Sequence, residues 1–314
     1  MRRVFKATVR SFFVGMLVLA GSCRSLQDVS VPPGLSEQLP WSRPSLVTPP
    51  AFRWVNQIDS AWSMRYQGEI YRGRPTEVFA YYADPATLVG DTNNRHRYPG
   101  IILVHGGGGT AFRVWVLEWA RRGYAALAMD LRGSEPLPLA AQNHAWGTKS
   151  RRLPQGGPEE NPSTQFYRID QPFSEQWPYH AVANVIRAHS LLRSFRQVDP
   201  ARTGLTGISW GGYLTCLVAG IDRRFKAAVP VYGSGFLSTG SYWTTHGIFD
   251  TLGRENTRRW TQLWDPAQYI GHARMPLFFI NGTNDFAYYA EAWDQSARLA
   301  RDGRQLMLLR MKHS

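Results

Sequence analysis

The stretch Thr206-Gly207-Ile208-Ser209-Trp210-Gly211-Gly212 decides the predicted fold. It ends an apolar run and begins a predicted helix, so it lies at a strand-to-helix junction. Its central residues Gly207, Ser209 and Gly211 match the nucleophile-elbow pattern, in which glycines flank a serine because a Cβ there would clash with neighbouring backbone. Such a turn holds the hydroxyl out of the sheet. In a chain with 29 glycines the pattern also arises by chance, so the surrounding sequence has to support it.

Length and composition indicate a globular protein, of one large domain or two smaller ones. The chain has 314 residues, 43% of them hydrophobic and 19% charged, which is enough to bury a large core. The formal net charge of +13 comes mostly from arginine. These arginines are scattered, with no basic helix or aromatic-interleaved patch, so the sequence predicts no nucleic-acid partner.

The cysteines and histidines of the sequence argue against a disulfide-rich fold and against a metal site. The two cysteines, Cys23 and Cys216, exclude a disulfide framework, and Cys216 at an apolar helical position is predicted to be a buried, unreactive thiol. No histidine pair occurs with carboxylates or thiols at metal-ligand spacing. The sequence therefore predicts neither a metal nor another cofactor.

The first 60 residues are predicted to direct and tether the protein. Residues 1–22 combine basic residues with an apolar run, 12–20, that is too short to span a bilayer comfortably, as in an export signal. The segment before Cys23 loosely resembles a bacterial lipoprotein cleavage site. Membrane attachment through a lipidated Cys23 and cleavage without lipid remain alternatives, with a location in the periplasm, at the outer membrane or outside the cell. The proline-rich residues 23–60 are predicted to be an extended tether.

Residues 61–314 are predicted to form one α/β domain. Segments 65–70 and 77–83 flank a turn containing Gly and Pro and predict an N-terminal antiparallel hairpin. From residue 100 short apolar strands alternate with helices, which predicts a mostly parallel central sheet with helices on both faces. Insertions at about 132–176 and 234–266 follow strands, so they are expected at the carboxyl edge of the sheet, where such sheets bind ligands.

A glycine run upstream of Ser209 predicts an oxyanion hole. The apolar strand 101–104 leads into His105 and four glycines. Glycine lets backbone N–H groups approach a developing oxyanion, so Gly107 is the first choice of donor and Gly106 the second, together with the N–H of Trp210. His105 precedes the glycines and is expected to brace the loop.

Asp285 is the predicted acid. It follows a buried strand and a glycine turn, after Ser209 in the order Ser, Asp, His. In this role it would orient an imidazole. The alternative is a helix cap, since Asp is favoured at that position too.

His313 is the predicted general base, because it stands just past the last predicted strand. The sequence ends at Ser314, so little of it follows this histidine to hold the side chain in place. The competing histidines are His144, His180, His189, His246 and His272.

Six motifs of the chain belong together: HGGGG at 105–109, Asp130 with Arg132-Gly133, Val198-Asp199-Pro200 with Arg202, GISWGG at 207–212, Trp264-Asp265-Pro266 and NGTND at 281–285. They resemble the α/β-hydrolase superfamily, in particular its acetylxylan esterases, dienelactone hydrolases and prolyl-oligopeptidase catalytic domains. The resemblance covers about residues 64–314 and implies Ser209 as nucleophile, Asp285 as acid and a histidine at 311–314 as base. Similar proteins continue past this point, so by this resemblance the chain looks truncated and the base could be a residue beyond its end. The serine at 209 disfavours dienelactone hydrolase activity, since those enzymes use cysteine there.

The predicted function is an exported serine hydrolase that cleaves carboxylic esters, such as the acetyl esters of a polysaccharide. Two alternatives remain: a serine peptidase acting on short peptides, and a non-catalytic binding protein with a hydrolase-like pocket. A glutamate pair, Glu159-Glu160, could bind the amine of a peptide, but its Gly- and Pro-rich surroundings predict a solvated loop.

Overall fold

The computed structural model describes residues 41, 44–91, 93–138 and 149–313. The predicted export signal, Cys23, most of the predicted tether, His144 and Ser314 lie outside the described residues. The strands are β1 Phe52–Ile58, β2 Ala61–Gln67, β3 Glu77–Ala83, β4 Tyr98–Val104, β5 Ala125–Met129, β6 Ser134–Pro136, β7 Ser150–Arg152, β8 Val198–Ile208, β9 Ala227–Val231, β10 Leu277–Gly282 and β11 Gly303–Leu308. The α-helices are α1 Pro44–Val47, α2 Pro85–Val89, α3 Arg113–Arg121, α4 Trp177–Ser194, α5 Trp210–Ile221, α6 Tyr242–Thr245, α7 Ile248–Trp264 and α8 Ala290–Leu299.

In the described part of the chain, nine strands form one sheet in the order β1-β2-β3-β5-β4-β8-β9-β10-β11. The first three run antiparallel to their neighbours, and the six from β5 to β11 are mutually parallel. The predicted hairpin is the β2 and β3 pair. The predicted α/β class, with a mostly parallel sheet, is confirmed.

The central strands are apolar on both faces because helices cover both. Along β4, Ile102 and Val104 belong to a core shared with α4 and α5, whereas Ile101 and Leu103 pack in a second core with Val116 of α3. A buried parallel strand needs this continuous apolar run. Among the described residues, no helix has both the length and the apolar character to cross a membrane.

The structure corrects the extent of the predicted tether. Trp41 is fully buried and stacks on Tyr179, with ring centroids 5.8 Å apart. Ser190 Oγ of α4 donates to the carbonyl of Leu46 in α1 at 2.7 Å, and β1 pairs with β2. Residue 41 and residues 44–58 are therefore part of the folded domain, because their aromatic and apolar side chains find a surface on it despite the surrounding prolines.

Both insertions follow strands at the carboxyl edge of the sheet. The first contains the β6 and β7 hairpin and a π-helical turn, Ser163–Tyr167, while the second contains α6 and α7. Trp260 of α7 donates its indole N–H to the carbonyl of Gln165 at 2.8 Å. The two insertions thus contact each other at the edge where Ser209 lies.

Candidate active site

The turn at Ser209 is strained, and its glycines are sterically required. Ser209 has a φ of 59°, in the left-handed region that side chains avoid. A Cβ on Gly207 would overlap the carbonyl oxygen of Gly211, and a Cβ on Gly211 would overlap that of Val104. The elbow can therefore form only with small residues on both sides of the serine, and it presents the hydroxyl above the end of β8.

His313 contacts both Ser209 and Asp285. The Ser209 Oγ is 2.7 Å from His313 Nε2, and His313 Nδ1 is 2.9 Å from Asp285 Oδ2. The histidine and aspartate side chains are only 8% and 1% exposed. The three residues come from the ends of β8, β10 and β11. This is the geometry that a nucleophile, a base and an orienting acid require.

Aromatic rings and a hydrogen bond hold His313 in place. The Tyr232 hydroxyl donates to the carbonyl of Lys312 at 2.6 Å, and the Tyr232 and His313 ring centroids are 4.7 Å apart. The rings of Phe286 and Tyr288 lie at 5.0 and 6.0 Å. His313 is thus packed against three aromatic rings, although it lies near the end of the sequence. The sequence did not point to Tyr232, because its role depends on a backbone carbonyl of another segment.

Asp285 is fixed by backbone donors as well as by the histidine. Its Oδ1 accepts N–H bonds from Ala287 at 2.7 Å and Tyr288 at 2.9 Å, which leaves Oδ2 for His313. The capping geometry and the contact with His313 therefore occur together, on different oxygens of one carboxylate. Asp285 thus caps the turn before α8 and not the helix itself, which begins at Ala290 after Tyr289.

The glycine loop lies directly against the elbow. A Cβ on Gly106 would be 3.0 Å from the Ser209 Cβ, and a Cβ on Gly107 would be 2.6 Å from the Trp210 Cδ1 atom. Trp210 is the first residue of α5, and a first-turn N–H has no partner within its own helix. The predicted oxyanion donors Gly106, Gly107 and Trp210 thus surround Ser209.

His105 braces this loop, as its sequence position suggested. Leu131 N–H donates to His105 Nε2 at 3.0 Å, so the proton is on Nδ1, which lies 2.7 Å from the carbonyl oxygen of Gly106. Complete burial lowers the pKa of His105 to about 4. A neutral ring with both nitrogens engaged is not available as a base for Ser209.

The other competing histidines contact groups away from Ser209. His180 Nε2 donates to the Ser174 carbonyl, and His189 Nδ1 contacts Asp222 at 2.8 Å in the core. His246 Nδ1 donates to the carbonyl of Tyr242, and His272 ends a short 3₁₀ turn. Of the described histidines in the competition, His313 is the one that meets both Ser209 and Asp285.

The prediction of a solvated glutamate pair is wrong for Glu160, which is buried. Glu159 is exposed, with 57% of its side chain accessible, whereas the Glu160 side chain is 5% exposed. Glu160 Oε1 would lie 2.8 Å from a Cβ on Gly107, and Gly108 N–H donates to Oε2 at 3.4 Å. The first insertion folds back over the glycine loop and places this carboxylate beside it, a contact that no local pattern signals.

Four aromatic side chains, Phe166, Trp210, Trp243 and Tyr288, form an aromatic wall beside the loop. The Trp210 and Trp243 centroids are 4.7 Å apart, those of Trp243 and Tyr288 are 5.2 Å apart, and those of Phe166 and Trp210 are 5.9 Å apart. The predicted buried thiol lies nearby in α5: Cys216 is fully buried, which raises its pKa. The wall joins both insertions to the elbow.

A family model described as Acetyl xylan esterase (AXE1) matches residues 74–242, more than half of the chain. The chain belongs to this family. As a member of the acetyl xylan esterase family, it has the α/β-hydrolase fold that its sequence motifs predicted, and the match includes the glycine loop, Glu160 and the elbow.

Solved structures share the fold of this family member. The acetyl xylan esterase from Paenibacillus sp. R4 is 19% identical, with a TM-score of 0.62 over 86% of this chain and 85% of that one. The acylaminoacyl peptidase of Pyrococcus horikoshii is 18% identical, with a TM-score of 0.54 over 84% of this chain and 38% of that one.

Among curated proteins, the uncharacterized peptidase YuxL of Bacillus subtilis (strain 168) is 26% identical over 249 residues, which are 73% of this chain. The chain spans only 32% of the length of that relative.

Proposed function

We propose that this protein is a serine hydrolase that cleaves carboxylic esters through an acyl-enzyme. The observation that carries the proposal is His313, which bridges Ser209 Oγ at 2.7 Å and Asp285 Oδ2 at 2.9 Å. A buried imidazole in this position can take the hydroxyl proton while the carboxylate stabilises the imidazolium. This arrangement argues against the alternative of a non-catalytic binding protein.

In the proposed reaction Ser209 Oγ attacks the ester carbonyl carbon as its proton moves to His313 Nε2. The N–H groups of Gly107 and Trp210 bind the oxyanion of the tetrahedral intermediate. When the intermediate collapses, the ester C–O bond breaks, the alcohol leaves with the proton from His313, and the acyl group stays on Ser209. Water then attacks the acyl-enzyme by the same route and releases the acid.

We propose acetyl groups on a polysaccharide as the substrate class. Family membership supports it, and so does the aromatic wall, whose bulky rings beside the oxyanion loop favour a short acyl group. Of its four rings, Trp243 is the partly exposed one, and an exposed indole suits stacking on a sugar. We expect p-nitrophenyl acetate to be hydrolysed much faster than p-nitrophenyl octanoate, and acetylated xylan to release acetate.

The test combines activity with covalent labelling. Wild type, Ser209→Ala and the matched control Ser45→Ala, at an exposed serine in α1, are treated with a fluorophosphonate probe and assayed with p-nitrophenyl acetate. Wild type and the control should label and turn over, and Ser209→Ala should do neither. Labelling that survives in Ser209→Ala, or its absence from all three folded proteins, refutes the proposal.

A serine peptidase is the second candidate, because of the similarity to the peptidase YuxL. The same Ser209 acylation would then cleave an amide. Peptide p-nitroanilides assayed beside acetylated xylan distinguish the two: a higher kcat/KM on the anilides would favour the peptidase.

We also propose that the protein is exported, on the basis of the basic and apolar pattern of residues 1–22. Fractionation of bacteria that express the full chain, with Cys23→Ala as the variant, tests this. Loss of the protein from the membrane fraction in Cys23→Ala would indicate lipidation, and retention of all the protein in the cytoplasm would refute export.

A further inference from the structure

A buried carboxylate lies next to the loop that we assign to the oxyanion hole, and the proposed reaction does not use it. Glu160 Oε1 accepts a hydrogen bond from Gln165 Nε2 at 3.2 Å, and Oε2 accepts one from Gly108 N–H at 3.4 Å. Its nearest cation, Arg132, stays at 3.9 Å from Oε2. These contacts are long for an ionised carboxylate with a 5% exposed side chain, which normally needs close partners.

Glu160 and Arg132 hold the glycine loop from two sides. Glu160 accepts the N–H of Gly108, and Arg132 Nη1 donates to the carbonyl of Gly108 at 3.3 Å. Because peptide units are planar, these two contacts fix the orientation of both peptide groups that flank the Gly108 Cα. Because Gly108 N–H is directed at Glu160, the loop's donor to an oxyanion is another of its N–H groups, with Gly107 as the first choice and Gly106 as the second.

The charge of Glu160 works against an oxyanion nearby. Two negative charges close together in a site shielded from water repel each other more strongly than they would in solvent. The charged or titratable groups that face Glu160 are Arg132, which offsets this repulsion, Asp130, which adds to it, and the buried hydroxyl of Tyr288.

The side chain is also able to change its charge near neutrality. Burial raises the pKa of Glu160 to about 7, against the opposing effects of Arg132, the Gly108 N–H and Gln165. Below this pH the group is a neutral acid, and above it a carboxylate.

We propose that Glu160 is a positioning residue that orients the oxyanion loop through Gly108 and weakens the oxyanion hole when it loses its proton. The inference rests on the proposed hydrolase function. The neutral acid still accepts the Gly108 N–H bond through its carbonyl oxygen, so the loop keeps its shape in both states. The repulsion of the oxyanion changes, and with it the rate of acylation.

The test is the pH dependence of the ratio of kcat/KM between Glu160→Gln and wild type. The amide has the shape of the protonated acid and no charge. The control is Glu159→Gln, at the exposed neighbour in the same segment. Hydrolysis of p-nitrophenyl acetate is followed at the isosbestic wavelength of nitrophenol from pH 5 to 9. Taking the ratio cancels the shared dependence on His313.

We expect the Glu160→Gln ratio to rise by about five-fold through pH 7 and then level off, as a single screened charge near an oxyanion implies. The Glu159→Gln ratio should stay level. Arg132→Met provides a second measurement: without the cation the decline of kcat/KM at alkaline pH should move to higher pH, since Arg132 lowers the pKa of Glu160.

The following results would overturn the inference or the proposed function. If the ratio of kcat/KM between Glu160→Gln and wild type does not change with pH, the inference is overturned, whether the ratio equals one or lies below one. A residue that only supports the structure would lower kcat/KM equally at every pH. If Glu160→Gln does not fold, an unmoved alkaline decline in Arg132→Met overturns it instead. Loss of activity in Ser209→Ala with a level ratio leaves the hydrolase proposal standing, whereas hydrolysis that does not depend on Ser209 removes both.

Discussion

Replacement of Tyr232 by phenylalanine is expected to lower the turnover rate without affecting substrate binding. The change removes one hydroxyl, which donates to the carbonyl of Lys312 at 2.6 Å. It keeps the ring that lies 4.7 Å from His313. The hydroxyl has no place in the chemical steps, so any effect on kcat must arise from the position of the histidine.

The size of the effect follows from the strength of one buried hydrogen bond. Tyr232 is 3% exposed, and a hydrogen bond of this kind contributes about 1 kcal/mol to the free energy of unfolding. If the same free energy keeps His313 in reach of both Ser209 and Asp285, its loss lowers kcat by roughly five-fold. KM for p-nitrophenyl acetate should stay unchanged, since Tyr232 follows β9 and the glycine loop follows β4, on opposite sides of β8 in the sheet.

Tyr66→Phe is the matched control. The Tyr66 hydroxyl is also buried and also donates to a backbone carbonyl, that of Asn184, at 2.9 Å, but it lies far from the histidine. Urea denaturation should show a similar loss of stability in both variants, and steady-state kinetics should show a fall in kcat only in Tyr232→Phe. Equal stability losses with an unchanged kcat in both would refute the reasoning, because the rings alone would then hold His313.

Three further predictions concern the site and its support. Asp285→Asn should keep the backbone contacts of Oδ1 but lower kcat by about 1,000-fold, since the amide cannot stabilise the imidazolium; a loss below ten-fold in steady-state kinetics would contradict the role. Gly107→Ala should lower kcat by about ten- to hundred-fold because its Cβ meets Trp210 and Glu160, whereas Gly204→Ala, whose Cβ has only an ordinary contact at 3.7 Å, should retain wild-type activity. The pKa of His105 is lowered to about 4, below the unfolded value of about 6.5, so its contribution to stability is complete above pH 6.5 and is lost as the pH falls toward 4. Urea denaturation at pH 7 and pH 5 measures this loss. Between these two pH values the free energy of unfolding should fall by about 2 kcal/mol less in His105→Gln than in wild type. An equal fall in both proteins would show that the ring protonates in the folded protein.

The sequence predicted those parts of the site that local backbone geometry dictates. The glycines beside Ser209 are required because a Cβ would meet backbone. In the run after His105, a Cβ on Gly106 or Gly109 would also meet backbone, one on Gly107 would meet the Trp210 side chain, and Gly108 has a φ of 71°. Such requirements leave a readable pattern. The alternation of strands and helices gave the parallel sheet for the same reason, since period and composition are local properties. Asp285 followed from its position after a strand.

The parts that sequence missed depend on contacts between distant segments. Glu160 looked like a solvated residue, and only the folding of the first insertion over Gly108 buries it. The proline-rich start looked like a tether, although Trp41 is buried against Tyr179. In each case the local composition was polar or proline-rich, and the burial comes from a surface formed by residues far away in the chain.

Sheet register explains why the four residues that build the candidate site converge. Ile208 pairs with Val231, Val231 with Ile280, and Ile280 with Leu306, so the ends of β8, β9, β10 and β11 lie in one row. Ser209 and Tyr232 are each one residue beyond this row, and both have a positive φ, 59° and 50°. Asp285 and His313 follow on longer loops that reach back to them. A one-residue slip between β9 and β10 would therefore move Tyr232 away from the His313 loop, although every sequence motif would stay intact. The motifs thus identify the reacting groups, and the register of the strands determines whether these groups meet.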